Sequence, residues 1–247
     1  MRTRHPLLLL PLLTLPLLGC ASSSAQTNPA AVPATPAAAP AATLPVAANA
    51  QRYLLSWDGQ LTGTAVRRLS CQHASCTFRT DAQVPGLATL TEESRFQWRH
   101  DRVVFQRYQR DLQLLLFPQS VSIVREADGQ FVTQRKGKTR RYPGQDDAVD
   151  LLGLEVQLRA DRLAGKTPKA SYALAEVKGI TPVSLTRLDN VTLTLNGKAW
   201  GTEVYERRDG QRLTTLWLAP DLGFVPVQIV HQDGPETYRM IWQGPAD

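Results

Sequence analysis

The stretch Val191-Thr192-Leu193-Thr194-Leu195-Asn196-Gly197-Lys198-Ala199-Trp200 decides the fold. Val191, Leu193 and Leu195 alternate with threonine, so one face of an extended chain is apolar and the other polar. Asn196-Gly197 then interrupts the run. Asx-Gly suits a two-residue hairpin turn, whose central residues need positive φ. The same grammar recurs outward along the chain. Tyr53/Leu55/Trp57, Phe96/Trp98, Leu216/Leu218, Val225/Val227/Ile229 and Tyr238/Met240/Trp242 alternate in the same way. Asp58-Gly59, Asp128-Gly129, Asp209-Gly210 and Asp233-Gly234 supply further turns. The pattern predicts an antiparallel meander.

One segment has another period. Between Asp146 and Leu163, Val149, Leu152 and Val156 fall on one stripe, with Leu151, Leu154 and Leu158 beside it. That spacing predicts one amphipathic helix, started by Asp146 or Asp147 and followed by Gly165. The expected class is mainly β (α+β): a curved antiparallel sheet or half-open β-barrel with one amphipathic helix packed on it.

The N-terminus is of a different kind. Arg2 and Arg4 precede Pro6–Leu18, 13 residues whose only polar member is Thr14. Spanning a bilayer as a helix takes about 20 apolar residues, so this run suits a secretory signal peptide instead. Leu17-Leu18-Gly19-Cys20 follows and resembles the bacterial lipobox. That resemblance implies cleavage before Cys20 and acylation, palmitate included, of its thiol and new amino group. Several chains would anchor firmly, at about 0.8 kcal/mol per buried CH₂. Ala21, where an Asp would favour inner-membrane retention, implies sorting to the outer membrane, facing the periplasm of a Gram-negative bacterium. Residues 21–50 hold 13 Ala, 5 Pro and no charge. The prolines interrupt every helical run, so a disordered tether is expected. The expected organisation is 1–19 signal peptide, 20–50 lipidated Cys and tether, and 51–247 a single β-rich domain.

Three stretches carry a resemblance: Tyr53–Trp57 leading to Gly63, Asp150–Arg159, and Thr215-Leu-Trp-Leu-Ala-Pro-Asp-Leu-Gly-Phe-Val-Pro-Val227 with Gly234 and Tyr238. Together they resemble the exported bacterial domain-of-unknown-function family numbered 3108. That family implies an envelope protein with a mostly antiparallel β body and no set of catalytic residues. The layout also resembles, by architecture alone, the half-open barrels of LolA/LolB lipoprotein carriers. Pro220-Asp221-Leu222-Gly223 has its own reading as a turn, and Pro226 belongs at an edge or bulge because it lacks an N–H.

Composition excludes some classes. With 43% hydrophobic residues, 20% charged, 3 Cys and net charge +6, the chain is not a disulfide-dense mini-protein, a collagen or a wholly disordered polymer. Cys71 and Cys76 flank Gln72-His73-Ala74-Ser75, and an oxidising periplasm favours a disulfide between them. A Cys71/His73/Cys76 metal site lacks a fourth ligand, and Cys-x₄-Cys is not the spacing of redox enzymes. Arg135, Lys136, Lys138, Arg140 and Arg141 form a basic run that suits an anionic lipid or lipopolysaccharide surface, or else a solvated face. Leu112–Phe117 reads as a buried strand, or as the apolar lip of a lipid cavity. The carboxylate groups Glu92/Glu93, Asp146/Asp147 and Glu203/Glu206 have no His or Ser at catalytic spacing. No cofactor is implied, and an exported chain does not meet nucleic acid.

Three functions remain open. An anchored binding or assembly module, taking an apolar envelope molecule or a protein partner, is the first expectation. A carboxylate-dependent hydrolase of an envelope polymer and a structural lipoprotein pairing through a sheet edge are the others. A wide apolar cavity, two facing carboxylates, or a filled core with an open edge would favour each in turn.

Overall fold

The computed structural model describes residues 43–247 apart from residue 116, with only the backbone of residues 61 and 62. The signal peptide, Cys20 and most of the tether lie outside the described residues. Fourteen strands follow in chain order: β1 Asn49–Trp57, β2 Gln60–Gln72, β3 Ser75–Val84, β4 Ala88–Arg99, β5 Arg102–Leu114, β6 Phe117–Arg125, β7 Gln130–Arg135, β8 Lys138–Pro143, β9 Ser171–Glu176, β10 Gly179–Leu195, β11 Lys198–Asp209, β12 Arg212–Ala219, β13 Val225–Asp233 and β14 Glu236–Pro245. One helix, α1 (Leu151–Leu163), falls between β8 and β9. A single 3₁₀ turn, Pro220–Leu222, joins β12 to β13.

All strands belong to one antiparallel sheet, in the order β8-β7-β6-β5-β4-β3-β2-β1-β14-β13-β12-β11-β10-β9. Its centre is the pairing of β1 with β14, from which two meanders run outward. The edge strands β8 and β9 are neighbours in sequence, and they meet. Tyr142 Oη donates to Glu176 O at 2.6 Å, and Thr133 Oγ1 to Val177 O at 3.0 Å. Val149 and Leu174 add one isolated parallel bridge. The sheet therefore curls into a barrel whose seam is held by side chains, because no continuous ladder joins the two edges.

The turns follow the expected chemistry. Asp58-Gly59 (φ 47° and 83°) and Asn196-Gly197 (φ 52° and 74°) both have paired positive φ. Pro226 sits beside the β-bulge in the β12/β13 pair, where its missing N–H costs nothing in the ladder. Gly63 allows a close crossing of β2 and β3: a Cβ there would lie 1.9 Å from Gln83 O. Cys71 and Cys76 are directly opposed in the β2/β3 hairpin and form a disulfide, with Cα atoms 4.1 Å apart. Replacing both by Ser is expected to lower stability by about 2 kcal/mol. The urea midpoint of wild type with and without reductant should reproduce that loss.

Two expectations need correction. The helix begins at Leu151, with Asp150 as its N-cap rather than Asp146 or Asp147. Asp150 accepts from Leu152 N at 2.8 Å and Gly153 N at 2.9 Å, while Asp146 and Asp147 pair with Arg125 and Lys169. Nor is α1 an amphipathic helix on one face of a sheet. Nine successive residues, Leu152–Ala160, are buried. The sheet wraps round the helix, so its polar side chains find partners inside. Arg67 donates to both Glu155 oxygens at 3.1 and 2.8 Å. Gln157 accepts from Val103 N at 2.8 Å, and Ser94 Oγ donates to Asp150 at 2.5 Å. Gly153 faces Val103, whose Cγ1 would lie 3.2 Å from an added Cβ, so the helix approaches β5 closely. Leu44 and Val46, ahead of β1, are buried in the same core as α1.

Candidate functional site: an open cup above the helix

Successive strands run in opposite directions, so their turns alternate between two ends of the barrel. The helix fills only one of them, which holds the disulfide hairpin, the His100-Asp101 turn and the 3₁₀ turn. There the β10–β11 hairpin reaches across to β14. Asn196 Nδ2 donates to Trp242 O at 3.3 Å, and Trp200 meets Trp242 edge-on with ring centroids 5.3 Å apart.

Towards the other end, inward-facing side chains lose their cover strand by strand. Tyr53 is buried, Leu55 half-buried and Trp57 exposed. On β12 Leu218 is buried while Leu216 and Thr214 are half-buried, and on β13 Val227 is buried while Ile229 and His231 are half-buried. Trp242, Met240 and Tyr238 repeat the β1 order on β14. On the facing wall, Ser94 is buried whereas Glu92 and Leu90 are half-buried. Above the helix the inward-facing wall is only half-covered, along Leu55, Leu90, Leu112, Leu216, Ile229 and Met240, and this stretch is called the cup below.

A polar row crosses this lining. Arg207, Thr214, His231, Tyr238 and Trp57 are register partners on five adjacent strands. Arg207 Nη2 donates to Thr214 Oγ1 at 3.0 Å, and that hydroxyl lies 2.9 Å from His231 Nδ1. With Nδ1 unprotonated and its hydrogen on Nε2, a neutral His231 accepts the Thr214 proton. Burial, and then the charge of Arg207, push the His231 pKa down, in keeping with that form. Trp57 stacks on Tyr238, with centroids 6.0 Å apart. On the opposite wall Tyr108 Oη donates to Glu92 at 2.5 Å, and burial followed by Glu92 raises the Tyr108 pKa.

The rim of the cup is apolar and basic. Among the described residues, six of the ten exposed large hydrophobics lie there: Trp57, Leu87, Leu114, Leu115, Phe117 and Tyr238. The expectation that 112–117 is a buried strand fails for its second half, because Leu115 is 57% and Phe117 70% exposed. Leu115 lies in the turn after β5 and Phe117 begins β6, where the wall runs past the helix that would cover it. The basic run lies at the same end, on β7, its Lys136-Gly137 turn and β8. All five cations are exposed. Arg141 lies 3.5 Å from Asp128, and Arg140 donates to Lys178 O at 3.2 Å, whereas Arg135, Lys136 and Lys138 have no ion pair among the described residues.

The other sequence candidates are dispersed. Glu93 pairs with Arg79 and Arg95, and Glu203 with Arg162 and Arg187. Glu206 pairs with Arg208, away from Glu203. Sequence reasoning missed Arg207 and His231. Their signal was a polar residue in step with an apolar alternation: Arg207 with Tyr205, and His231 with Ile229. Only the cross-strand register brings Arg207 and His231 together, through Thr214.

No family model matches the chain, and no curated protein matches it. Among solved structures, the chain is similar to a β-barrel-like protein of domain of unknown function DUF1849 from Brucella abortus. The identity is 11% and the TM-score 0.51, over 83% of this chain and 100% of that one. That neighbour belongs to a family of unknown function numbered differently from 3108. What the two proteins share is the fold, which in this chain is a mainly β, barrel-like antiparallel sheet with one helix among the described residues.

Proposed function

We propose that the protein is an envelope-anchored binding module that takes an apolar molecule, a lipid in the first instance, into the cup above α1. The observation that carries this reading is the half-exposure of inward-facing Leu216, Ile229 and Met240. Apolar side chains lining a concave wall and left half-wet are stabilised when an apolar ligand displaces that water, by about 25 cal/mol per Å² buried. The lipobox at Cys20 would tether the module to the outer membrane on its periplasmic side. The resemblance to family 3108 and to the LolA/LolB carriers points to the same compartment. Cys20 is the acylation site in this reading, and fractionation should lose the protein from membranes when Cys20 becomes Ala.

The test uses a neutral fluorescent lipid, the methyl ester of parinaric acid. It is expected to bind the full chain at one site and to quench Trp57 by energy transfer. Ile229→Glu should weaken binding at least tenfold, since a carboxylate would replace apolar wall. Absence of binding by wild type would overturn the reading.

The rim supports a route of entry. Leu115 and Phe117 beside Arg135, Lys136 and Lys138 suit an anionic bilayer surface, where each nearby cation contributes about 1 kcal/mol. Changing the three cations to Gln should abolish sedimentation with anionic vesicles at low salt. Phe117→Asp should weaken it at both low and high salt. Equal binding by wild type and the triple variant would remove the rim from the proposal.

A further inference from the structure

β10 has an edge that its own sheet does not cover. β9 pairs only with Gly179–Ser184, and one further bond joins Leu185 N to Ala170 O at 2.9 Å. Beyond that point no strand lies beside β10 on this side among the described residues, and residues 186–192 are all exposed. Open edges are ordinarily guarded by charge, proline or a bulge. Here Arg187, Asp189 and the irregularity between Leu188 and Val191 guard the first part. Val191-Thr192-Leu193-Thr194-Leu195 has none of these. It is an uncharged, alternating run of strand formers, with Val191 42% exposed. The two-residue Asn196-Gly197 turn sets which backbone groups are free. Leu195 and Lys198 flank it as register partners and exchange their hydrogen bonds, so Leu193 and Val191 also direct their amides to β11. Thr192 and Thr194 therefore direct N–H and C=O outward, away from the sheet.

We propose that this edge pairs with the same edge of a second copy of the chain, antiparallel and centred on Leu193. The run is its own complement in that register. Leu193 faces Leu193, Val191 faces Leu195 and Thr192 faces Thr194 of the second copy. Apolar side chains then meet on one face and threonines on the other. Thr192 and Thr194 are also a hydrogen-bonded pair in that register, exchanging N–H···O=C bonds in both directions. The charges match as well. Asp189 and Lys198 have no ion pair among the described residues: Lys198 Nζ lies over the Trp200 ring at 3.9 Å, and Glu203 takes Arg187 at 3.4 Å. The register brings Asp189 of one copy to the Asn196-Gly197-Lys198 turn of the other. A second copy supplies all of these matches by two-fold symmetry. The pairing is independent of what the cup holds.

The test is analytical ultracentrifugation of the full chain carrying Cys20→Ala, so that no acyl chain drives association. A monomer–dimer equilibrium that shifts with concentration is expected. Thr192→Pro removes an outward N–H that β11 does not use, so the fold is retained. It should weaken the dimer about tenfold or more, because half of the interchain backbone bonds are lost. A urea midpoint close to that of the parent chain checks that the fold is intact. Asp189→Lys should weaken the dimer severalfold, and Lys198→Asp added to it should restore the parent affinity. On oxidation, a mixture of Thr192→Cys and Thr194→Cys chains should cross-link while neither does so alone, since the register opposes 192 to 194. A parent chain that stays monomeric at every concentration, or a dimer that Thr192→Pro leaves untouched, would overturn the proposal. A monomeric chain that captures a synthetic alternating Val-Thr peptide at this edge would give the edge to a foreign strand and overturn it equally.

Discussion

Glu155→Ala is expected to destabilise the protein by about 3–5 kcal/mol, the cost of leaving a buried charge without its partner. Arg67 and Glu155 have side chains only 6% exposed and share two hydrogen bonds. Burial opposes the Arg67 charge, but Glu155 more than restores it, so Arg67 stays cationic in the pair. Without Glu155, the guanidinium retains Thr80 at 3.3 Å and the ring of Phe78 at 4.7 Å. Neither replaces a carboxylate. The loss is a large share of a typical folding stability of about 5–15 kcal/mol. The pair Arg67→Met with Glu155→Leu should recover most of it, because two apolar side chains leave no orphaned charge. Urea unfolding measures both. A loss below about 1 kcal/mol for Glu155→Ala would show that water reaches Arg67 from the cup.

Asp150 should make stability fall as pH rises. Burial pushes its pKa up to about 6, against the opposing pull of Ser94 and the two helix N–H donors. A carboxyl whose folded pKa is raised favours the folded state when protonated. Its contribution is therefore complete below the unfolded value, near 4, and is lost as pH climbs through about 6. Between pH 4 and pH 7.5 the loss is on the order of 3 kcal/mol. Asp150→Asn keeps an acceptor for Leu152 and Gly153 and has no charge to desolvate. Its stability relative to wild type should improve across that window. Asp150→Ala should lack the pH term as well, but lose about 1 kcal/mol of capping at every pH. Urea midpoints of wild type and Asp150→Asn that stay parallel from pH 4.5 to 7.5 would sink this account.

The two predictions concern residues that the sequence presents differently. Asp150 is one of three aspartates at the start of a helical period, and sequence alone does not rank them. Asp146 and Asp147 stay at the surface with Arg125 and Lys169, while the backbone at Asp150 is extended with φ −89°, as an N-cap requires. Glu155 and Arg159 read as the polar face of an amphipathic helix. That reading assumes water on one side, and here Tyr53, Arg67 and Phe78 stand there instead. In 112–117 the error runs the other way. An apolar run looks buried when only its composition is known, but this one passes beyond the end of the helix.

Alternation and Asx-Gly turns are local properties of the backbone, so the sequence by itself determined that this body is an antiparallel meander. The Asn196-Gly197 turn and its flanking strands form as their residues dictate, and the same holds for Asp58-Gly59. The opposition of Cys71 to Cys76 was equally local, since a two-residue turn centred between two cysteines five positions apart sets them opposite each other. Closure was not local. Whether β8 meets β9 depends on the summed twist of fourteen strands, and the helix lies inside because that curl leaves a lumen for it to fill. Where the helix stops, the wall continues without cover. That long-range mismatch between a long barrel wall and a thirteen-residue helix, rather than any motif, leaves Arg207 and His231 on a half-covered stretch of wall.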